Sequence, residues 1–394
     1  MRTVWTFHIP QSIVFGNDAV KQLGEVAGRL RAKKALIVTD PILEKAGLLD
    51  RVRAPLAEAG VAVSAFTGGE PEPSMKAGLA CYDHAKSFQP DVLVGLGGGS
   101  NMDLAKLAAT LLKHGGSPRD YVGDDKIPGP VFPLICVPTT AGTGSEVSAA
   151  TVITDNENQI KVGILSNWLR PTAAIVDPLM TVSGPPKVTA DSGIDALTHA
   201  IEAFTAVDNA DFPLPAGERT VYQGKHPMGD LCAEKAISLV GKFLRRAVKD
   251  GKDLEAREGM ALAALLAGMA FSNVGVALVH AMEYPVGGAV HCSHGAGNGL
   301  LLPYVMRFNK KAKLDAFAQI GKLLGVEGNA DAAIQAVEQL RNDIGVPQRL
   351  RDIGVKPDQL RGLAEKTFGI KRILRVNPRT VTVDEIEGIF KEAY

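Results

Sequence analysis

Short apolar runs alternate with longer amphipathic segments through the first half of the chain. The apolar runs are rich in β-branched residues, as is typical of strands buried on both faces of a parallel sheet. These predicted strands are 34–39, 61–66, 91–96, 132–137 and 173–176. Helical periodicity occupies the intervening segments 18–31, 48–59, 74–87 and 103–113. The order predicts βαβ units and an α/β domain built on a parallel sheet.

Two further segments predict antiparallel additions to this domain. Residues 3–15 alternate around Pro10, and residues 151–155 and 159–165 flank a turn-like Asn-Glu-Asn spacer at 156–158.

The pattern changes near Pro185 and becomes almost entirely helical. The predicted helices include 230–248, 254–271, 312–324, 330–343 and 357–368. Residues 206–226 are rich in Pro, Gly and Asp, and we interpret them as a long excursion between helices. We therefore expect an α/β domain over 1–184 and an all-α domain over 185–394.

Composition narrows the possible partners. Of the 394 residues, 46% are hydrophobic and 22% charged, as in ordinary globular proteins. Lys+Arg and Asp+Glu number 43 each, so charge gives no support for a nucleic acid or an anionic membrane as partner. The sequence shows neither a signal peptide nor an apolar run of about 18 residues. Cys81, Cys136, Cys232 and Cys292 are scattered, which indicates reduced, buried thiols and a cytoplasmic protein.

A glycine-rich turn follows the strand at 91–96. Gly97, Gly98, Gly99 and Ser100 precede a helix that carries Asp103 near its first turn. Glycines at a strand–helix junction let backbone N–H groups approach a phosphate, and the helix dipole favours the anion. The spacing only approximates the usual dinucleotide fingerprint, so a tight structural turn is the alternative interpretation.

A second loop, after the strand at 132–137, is rich in hydroxyl groups. It contributes Thr139, Thr140, Thr143 and Ser145 at a strand end, where open α/β sheets bind ligands. A loop that caps its own helix is the alternative interpretation.

Asp40 follows the strand at 34–39 and bears on the choice of cofactor. A carboxylate there can accept hydrogen bonds from a ribose diol and would repel a 2′-phosphate, which favours NAD over NADP. Asp40 could equally cap the helix that begins at Pro41, and the two roles are compatible.

Four residues of the second half form a candidate metal site. Asp195 and His199 are four apart on a predicted helix and face the same side, although such a pair is commonly a salt bridge. His280 and His294 lie close together further along the chain. Three imidazoles and one carboxylate suit Fe²⁺ or Zn²⁺ and leave room for a substrate oxygen.

Taken together, these motifs resemble those of the group III, iron-containing alcohol dehydrogenases. The resemblance rests on GGGSNMDLAK (97–106), PTTAGTGSEVS (138–148), DALTHAIEA (195–203), HGAGNGLLLPYV (294–305) and NPRTVTVDEI (377–386). It runs nearly from end to end. It implies a Rossmann-like N-terminal domain, a helical C-terminal domain and an active site in the cleft between them.

The resemblance also implies roles for individual residues. Asp195, His199, His280 and His294 would be the metal ligands, and NAD(H) would bind along the strand ends. Lys161 and Leu179 complete the expected cofactor contacts. We expect a homodimer acting on a small-molecule alcohol and its aldehyde or ketone, or on a hydroxyacid. Fe²⁺ or Zn²⁺ would be the Lewis acid, and hydride would pass to or from the nicotinamide.

Two departures from the family pattern, Tyr284 and the excursion at 206–226, leave alternatives open. Many members carry a histidine four residues after the third ligand, where this chain has Tyr284, whose reference pKa is about 10 rather than about 6.5. We expect Tyr284 to carry the proton. Tyr284 and residues 221–230 also resemble the hydroxyacid–oxoacid transhydrogenase branch, which would retain its cofactor.

A metal- and NAD-dependent lyase of the dehydroquinate synthase type is the other alternative. It would need a basic cluster for a polyanionic substrate. The pairs Arg245-Arg246 and Lys310-Lys311 are the candidates in the helical half, and we interpret both as solvated surface.

Overall fold

The computed structural model describes residues 4–157, 160–215 and 217–394, which divide into two compact units. The first, the sheet unit, spans His8–Gly184 and Arg219–Val221. The second, the helical unit, contains Pro185–Glu218 and Tyr222–Tyr394 together with the N-terminal residues up to Phe7.

The sheet unit is built on a six-stranded sheet in the order β1-β9-β6-β4-β2-β3. All neighbouring strands in it run parallel. The strands are β1 (Ser12–Phe15), β2 (Lys34–Val38), β3 (Ala62–Phe66), β4 (Val92–Gly97), β6 (Leu134–Pro138) and β9 (Ala173–Val176). The five apolar runs at 34–39, 61–66, 91–96, 132–137 and 173–176 are therefore confirmed as neighbouring parallel strands.

Helices cover both faces of this sheet. They are α1 (Leu23–Arg29), α2 (Pro41–Lys45), α3 (Leu48–Glu58), α4 (Met75–Phe88) and α5 (Gly99–His114). Along β2, Ala35 and Ile37 pack in one hydrophobic cluster while Leu36 and Val38 pack in the other. Burial of both side-chain sets explains why the strand is apolar at successive positions.

One of the two predicted antiparallel additions is confirmed and the other is wrong. β7 (Ala150–Asp155) and β8 (Ile160–Leu165) pair antiparallel, and β5 (Gly123–Asp124) joins β8 as a parallel third strand. Residues 158 and 159 of this hairpin lie outside the described part. β1, within the segment 3–15, instead pairs parallel with β9 at the edge of the main sheet. Alternation indicates a half-buried strand but not the direction of its neighbour.

The helical unit contains the remaining helices. They are α6 (Pro186–Thr205), α7 (Pro227–Lys249), α8 (Leu254–Val274), α9 (Leu278–Val290), α10 (His294–Asn309), α11 (Leu314–Leu323), α12 (Ala330–Asp343), α13 (Leu360–Gly369), α14 (Lys371–Leu374) and α15 (Val383–Ala393). The predicted helical half is confirmed. Among the residues described, no single helix has the length and hydropathy of a membrane span, although α8 and α9 qualify as a pair bent by 103°.

Two details differ from expectation. Helix α5 begins at Gly99, inside the glycine run, rather than near Asp103. Cys292 is partly exposed, whereas Cys81, Cys136 and Cys232 are buried as predicted. The excursion is anchored by backbone pairing, because Lys225 donates to the Val207 carbonyl at 2.7 Å.

Candidate functional site

Helix α6 carries three polar residues on one buried face of the helical unit. Asp195, His199 and Glu202 occupy positions i, i+4 and i+7 of this helix, so they project in the same direction. They are only 2%, 4% and 4% exposed. Polar groups this deeply buried need partners, and the neighbouring helices supply them.

Helices α9 and α10 bring two imidazoles to the Asp195 carboxylate. Oδ1 of Asp195 lies 3.8 Å from Nε2 of His280 and 4.0 Å from Nε2 of His294. The ligand atoms of these three residues all lie within 4.8 Å of one another. On the other side of the carboxylate, Nδ1 of His199 lies 3.9 Å from Oδ2. Its ring stacks between His280 and Phe271, at centroid distances of 4.6 and 4.1 Å.

Glycines allow α10 to approach α6 closely enough for this arrangement. A Cβ placed on Gly295 would lie 2.0 Å from the carbonyl oxygen of Asp191, and one on Gly299 would lie 2.6 Å from the Ile194 side chain. Any larger residue at either position would push the helices apart and move His294 away from Asp195.

Two buried carboxylates orient the imidazoles. Glu202 accepts a hydrogen bond from Nδ1 of His280 at 2.6 Å, and Glu283 accepts one from Nδ1 of His294. Because a carboxylate oxygen accepts, Nδ1 carries the proton in each ring and the Nε2 lone pairs point toward Asp195. A carboxylate behind the imidazole is the usual arrangement at metal-binding histidines.

The Asn298 amide lies among the same donor atoms. Its Nδ2 is 2.8 Å from Oδ1 of Asp195 and 3.1 Å from Nε2 of both His280 and His294. An amide nitrogen has two hydrogens, so it cannot satisfy three acceptors at once. An excess of buried acceptor lone pairs around one point is what a divalent cation neutralises, and the residues present therefore fit a metal ion.

The electrostatics of Asp195 agree with this interpretation. Burial opposes its ionisation, but the positive charge that His199, His294 and His280 carry when protonated, together with the hydrogen bond from Asn298, outweighs that effect. The pKa of the carboxyl therefore lies below its usual value, and the group is available as an anionic ligand at neutral pH.

Tyr284 lies one turn after His280, beside the same group. Its ring centroid is 6.0 Å from that of His294. Burial, reinforced by Tyr222, raises the pKa of its phenol above the ordinary value. Tyr284 therefore keeps its proton near neutral pH and can donate a hydrogen bond there. His291, by contrast, is the exposed C-cap of α9.

In the sheet unit, the predicted cofactor residues gather at one point of the sheet. β3 pairs on one side of β2 and β4 on the other, so the ends of β2 and β4 form a topological switch point. Asp40 lies at the end of β2 and caps α2 by accepting from the backbone N–H groups of Ile42 and Leu43. Asn101, after β4, donates from Nδ2 to Oδ2 of Asp40 at 2.7 Å.

The glycine-rich turn and the hydroxyl-rich loop meet at the same edge. Thr139 donates its backbone N–H to the Gly97 carbonyl at 3.0 Å. A Cβ on Gly98 would lie 3.5 Å from the Thr140 hydroxyl, and one on Gly99 would lie 3.1 Å from the Thr143 side chain. Gly98, Gly99 and Ser100 are partly exposed at the start of α5. The predicted phosphate-binding turn is thus partly exposed at the N-terminus of α5, where the helix dipole favours an anion.

A buried network holds the two loops together. Lys106, with no exposed surface, donates to the hydroxyls of Ser145 and Ser148 at 3.0 and 2.9 Å. Ser145 in turn donates to Oδ1 of Asp103 at 2.8 Å, and the other oxygen of Asp103 accepts from the backbone of β7. Asp103 and Ser145, predicted as cofactor contacts, are thus placed within the supporting framework of the two loops.

The last two predicted cofactor residues have other contacts. Lys161 on β8 forms an ion pair with Glu72 at 2.6 Å. Leu179 follows β9, and its carbonyl accepts from Arg51 at 3.2 Å.

Sequence reasoning missed the residues that support the site: Glu202, Glu283, Asn298 and Asn101. The signal for the first three was their helical spacing. Glu202 is seven residues after Asp195, Glu283 three after His280 and Asn298 four after His294, each on the face of a predicted ligand. Asn101 carried no comparable signal.

Comparisons with known proteins agree with this geometry. The model of the iron-containing alcohol dehydrogenase family matches residues 10–178. The model of the C-terminal region of the Fe-containing alcohol dehydrogenase family matches residues 216–394.

Individual relatives match over nearly the full length. The chain is 38% identical to the NAD-dependent methanol dehydrogenase of Bacillus methanolicus, covering 98% of this chain and 99% of that protein. It is also 38% identical to the 1,3-propanediol dehydrogenase of Klebsiella pneumoniae, over 99% of both chains. A crystal structure of a 1,3-propanediol oxidoreductase superposes with a TM-score of 0.92 at 38% identity, covering 99% of this chain and all (100%) of that one.

Proposed function

The chain belongs to the iron-containing alcohol dehydrogenase family, and we propose that it moves a hydride between NAD and an alcohol or its aldehyde. The observation that carries the proposal is the group of Asp195, His280 and His294, whose candidate ligand atoms lie within 4.8 Å of one another. These acceptor atoms outnumber the two hydrogens that Asn298 can donate to them. Its relatives include dehydrogenases of methanol, of 1,3-propanediol and of long-chain alcohols, which supports an alcohol as substrate without selecting its chain length.

We assign Asp195, His199, His280 and His294 as the ligands of one divalent ion, Fe²⁺ or Zn²⁺. When bound, the ion supplies Lewis-acid chemistry that makes an alcohol easier to deprotonate and a carbonyl easier to reduce. The protein's part is orientation, because Glu202 and Glu283 fix the tautomers of His280 and His294. Asp195 and His280 are only 2% exposed, and the weaker solvent screening at such buried positions strengthens the local field.

The cofactor is assigned to the strand ends of the sheet unit. The backbone N–H groups of Gly98, Gly99 and Ser100 at the start of α5 would bind its pyrophosphate, and Asp40 would accept from the ribose diol. NAD supplies the hydride acceptor, and the protein supplies position. Thr139, Thr140 and Thr143 would line the same edge, with Lys161 and Leu179 as further expected contacts.

Tyr284 is proposed as the proton carrier. Its raised pKa makes it a hydrogen-bond donor rather than a base at neutral pH, so it would hold or deliver a proton at its phenol oxygen. We further propose a cytoplasmic homodimer.

The two alternatives receive less support. The methanol and propanediol relatives are dehydrogenases, which favours that activity over a transhydrogenase with retained cofactor. Three of the four basic residues that a lyase would need form surface ion pairs. Arg245 pairs with Asp343, Arg246 with Asp253 and Lys310 with Asp331.

Replacement of His280 tests the function. His280→Ala should abolish alcohol oxidation and bound metal while NAD binding, measured by NADH fluorescence, stays within about twofold of wild type. Full activity of this variant would refute the metal assignment. Exchange between a hydroxyacid and an oxoacid without added NAD, and no turnover of free NAD, would establish the transhydrogenase instead.

A further inference from the structure

We propose that Asn101 is a specificity-determining residue that holds the Asp40 carboxylate in the orientation that selects NAD over NADP. The inference rests on the proposed function, since it assumes that Asp40 faces the adenosine ribose. Asn101 itself is placed as a positioning residue, acting through Asp40.

Hydrogen bonds fix both oxygens of the Asp40 carboxylate. Oδ1 accepts from the backbone N–H groups of Ile42 and Leu43 at 2.8 and 3.0 Å. Oδ2 accepts from Nδ2 of Asn101 at 2.7 Å. The capping bonds alone leave the plane of the carboxylate free to turn, whereas a third bond on the second oxygen removes that freedom.

Asn101 is itself held in a closely fitting space. It is 3% exposed, and its Nδ2 also donates to the Leu96 carbonyl at 3.1 Å. A Cβ on Gly97 would lie 2.3 Å from Nδ2 of Asn101, and one on Gly69 would lie 2.2 Å from Oδ1. Two glycines, on different segments, therefore make the room that the amide occupies. Its direction toward Asp40 follows from this enclosure and not from a chance rotamer.

The contact between Asn101 and Asp40 lies where a cofactor is expected to bind. Asp40 and Asn101 follow β2 and β4, the two strands at the topological switch point, where open α/β sheets bind ligands. A fixed carboxylate can accept from a ribose hydroxyl with its remaining lone pairs. It cannot turn away from a 2′-phosphate, so the repulsion between the two anions is retained in full. A carboxylate free to turn would relieve part of that repulsion.

The test is the ratio of the dissociation constants for NADPH and NADH, measured by fluorescence on the full chain. Asn101→Ala should lower this ratio about tenfold, the effect of one hydrogen bond to a charged group. Asn101→Ser, a milder change, should lower it in the same direction and serves if the alanine variant does not fold. Asn342→Ala, at an exposed asparagine of α12, is the control and should leave the ratio unchanged.

A double-mutant cycle separates positioning from a general structural role. In an Asp40→Ala background, adding Asn101→Ala should change the ratio no further, because its only route to the cofactor has been removed. If Asn101→Ala weakens the binding of NADH and NADPH equally, so that the ratio of their dissociation constants is unchanged, the inference is overturned.

The failures of the inference and of the proposed function are distinguishable. Wild-type protein that binds neither NADH nor NADPH would overturn the proposed function. Wild-type protein that prefers NADH, with a ratio that changes on Asp40→Ala but not on Asn101→Ala, would overturn only the positioning role of Asn101.

Discussion

Replacing Glu202 with glutamine should weaken metal binding while leaving every proposed ligand in place. Glu202 is 4% exposed and accepts three hydrogen bonds. They come from Nδ1 of His280 at 2.6 Å and from the backbone N–H groups of Ala277 and Val279 at 2.9 and 2.6 Å. It thus orients a proposed ligand, His280, and also caps the N-terminus of α9, whose own N-cap residue, Ala277, has no side-chain acceptor.

The magnitude follows from these contacts. Glutamine offers one oxygen, so it can retain the bonds to Ala277 and His280 but turns an N–H group toward the N–H of Val279. One buried donor left unsatisfied costs about 1–3 kcal/mol of folding free energy. Loss of the negative charge behind His280 makes the imidazole a weaker ligand, and outer partners of this kind change metal affinity by about 10–100-fold. This 10–100-fold change in metal affinity corresponds to about 1.4–2.8 kcal/mol of binding free energy.

The assay is competition between the protein and a chelator for Zn²⁺, repeated with Fe²⁺ under anaerobic conditions. Urea unfolding of the metal-free protein measures the capping contribution separately. Glu338→Gln on α12 is the matched control, because it changes a carboxylate that is paired with Arg307. It should change neither the affinity for Zn²⁺ nor the affinity for Fe²⁺. A Glu202→Gln variant that binds Zn²⁺ within twofold of wild type would refute the reasoning.

Three further outcomes are expected. Burial raises the pKa of Glu146 to about 7 from its ordinary 4.5, so the native state holds a proton that the unfolded state has lost, and stability falls as pH rises from about 4.5 to 7. In Glu146→Gln, the free energy of unfolding measured with urea should vary less with pH across that range and should exceed that of wild type by up to about 3 kcal/mol at pH 8. An unchanged pH dependence would contradict the raised pKa of Glu146. Burial lowers the pKa of His226 to about 4 from 6.5, with a smaller contribution from Lys225, so stability present above pH 6.5 is lost as pH falls toward 4. His226→Asn keeps a side-chain acceptor at the N-cap of α7 and should remove the loss of stability between pH 6.5 and 4, measured by urea unfolding. A variant that loses as much stability as wild type over this range would contradict the role of His226. Tyr284→Phe should lower kcat about 10²-fold, the lower end of the effect of general acid catalysis, without changing Zn²⁺ affinity. An unchanged kcat would show that another group carries the proton.

Local pattern was sufficient for most of the elements and for the ligand types. The runs at 34–39 and 91–96 are apolar at successive positions because β2 and β4 are buried on both faces. This burial requires an apolar residue at each position, so the strands can be recognised from the sequence alone. Asp195 and His199 share one helix, so their spacing alone places them on one face. Where the pattern failed, as for residues 3–15, the missing information was the neighbour: alternation is the same whether the adjacent strand runs parallel or antiparallel.

The sequence by itself determined which residues have the chemistry to bind a cation and a phosphate, because residue type and periodicity are local properties. Only the tertiary structure decided how those groups are held. Glu202 meets His280 across 78 residues of chain, Asn298 meets Asp195 across 103, and Asn101 meets Asp40 across 61. Hydrogen bonds depend on distances of about 3 Å and on direction. No periodicity along the chain encodes such a distance between separate elements, which is fixed only when helices and strands pack.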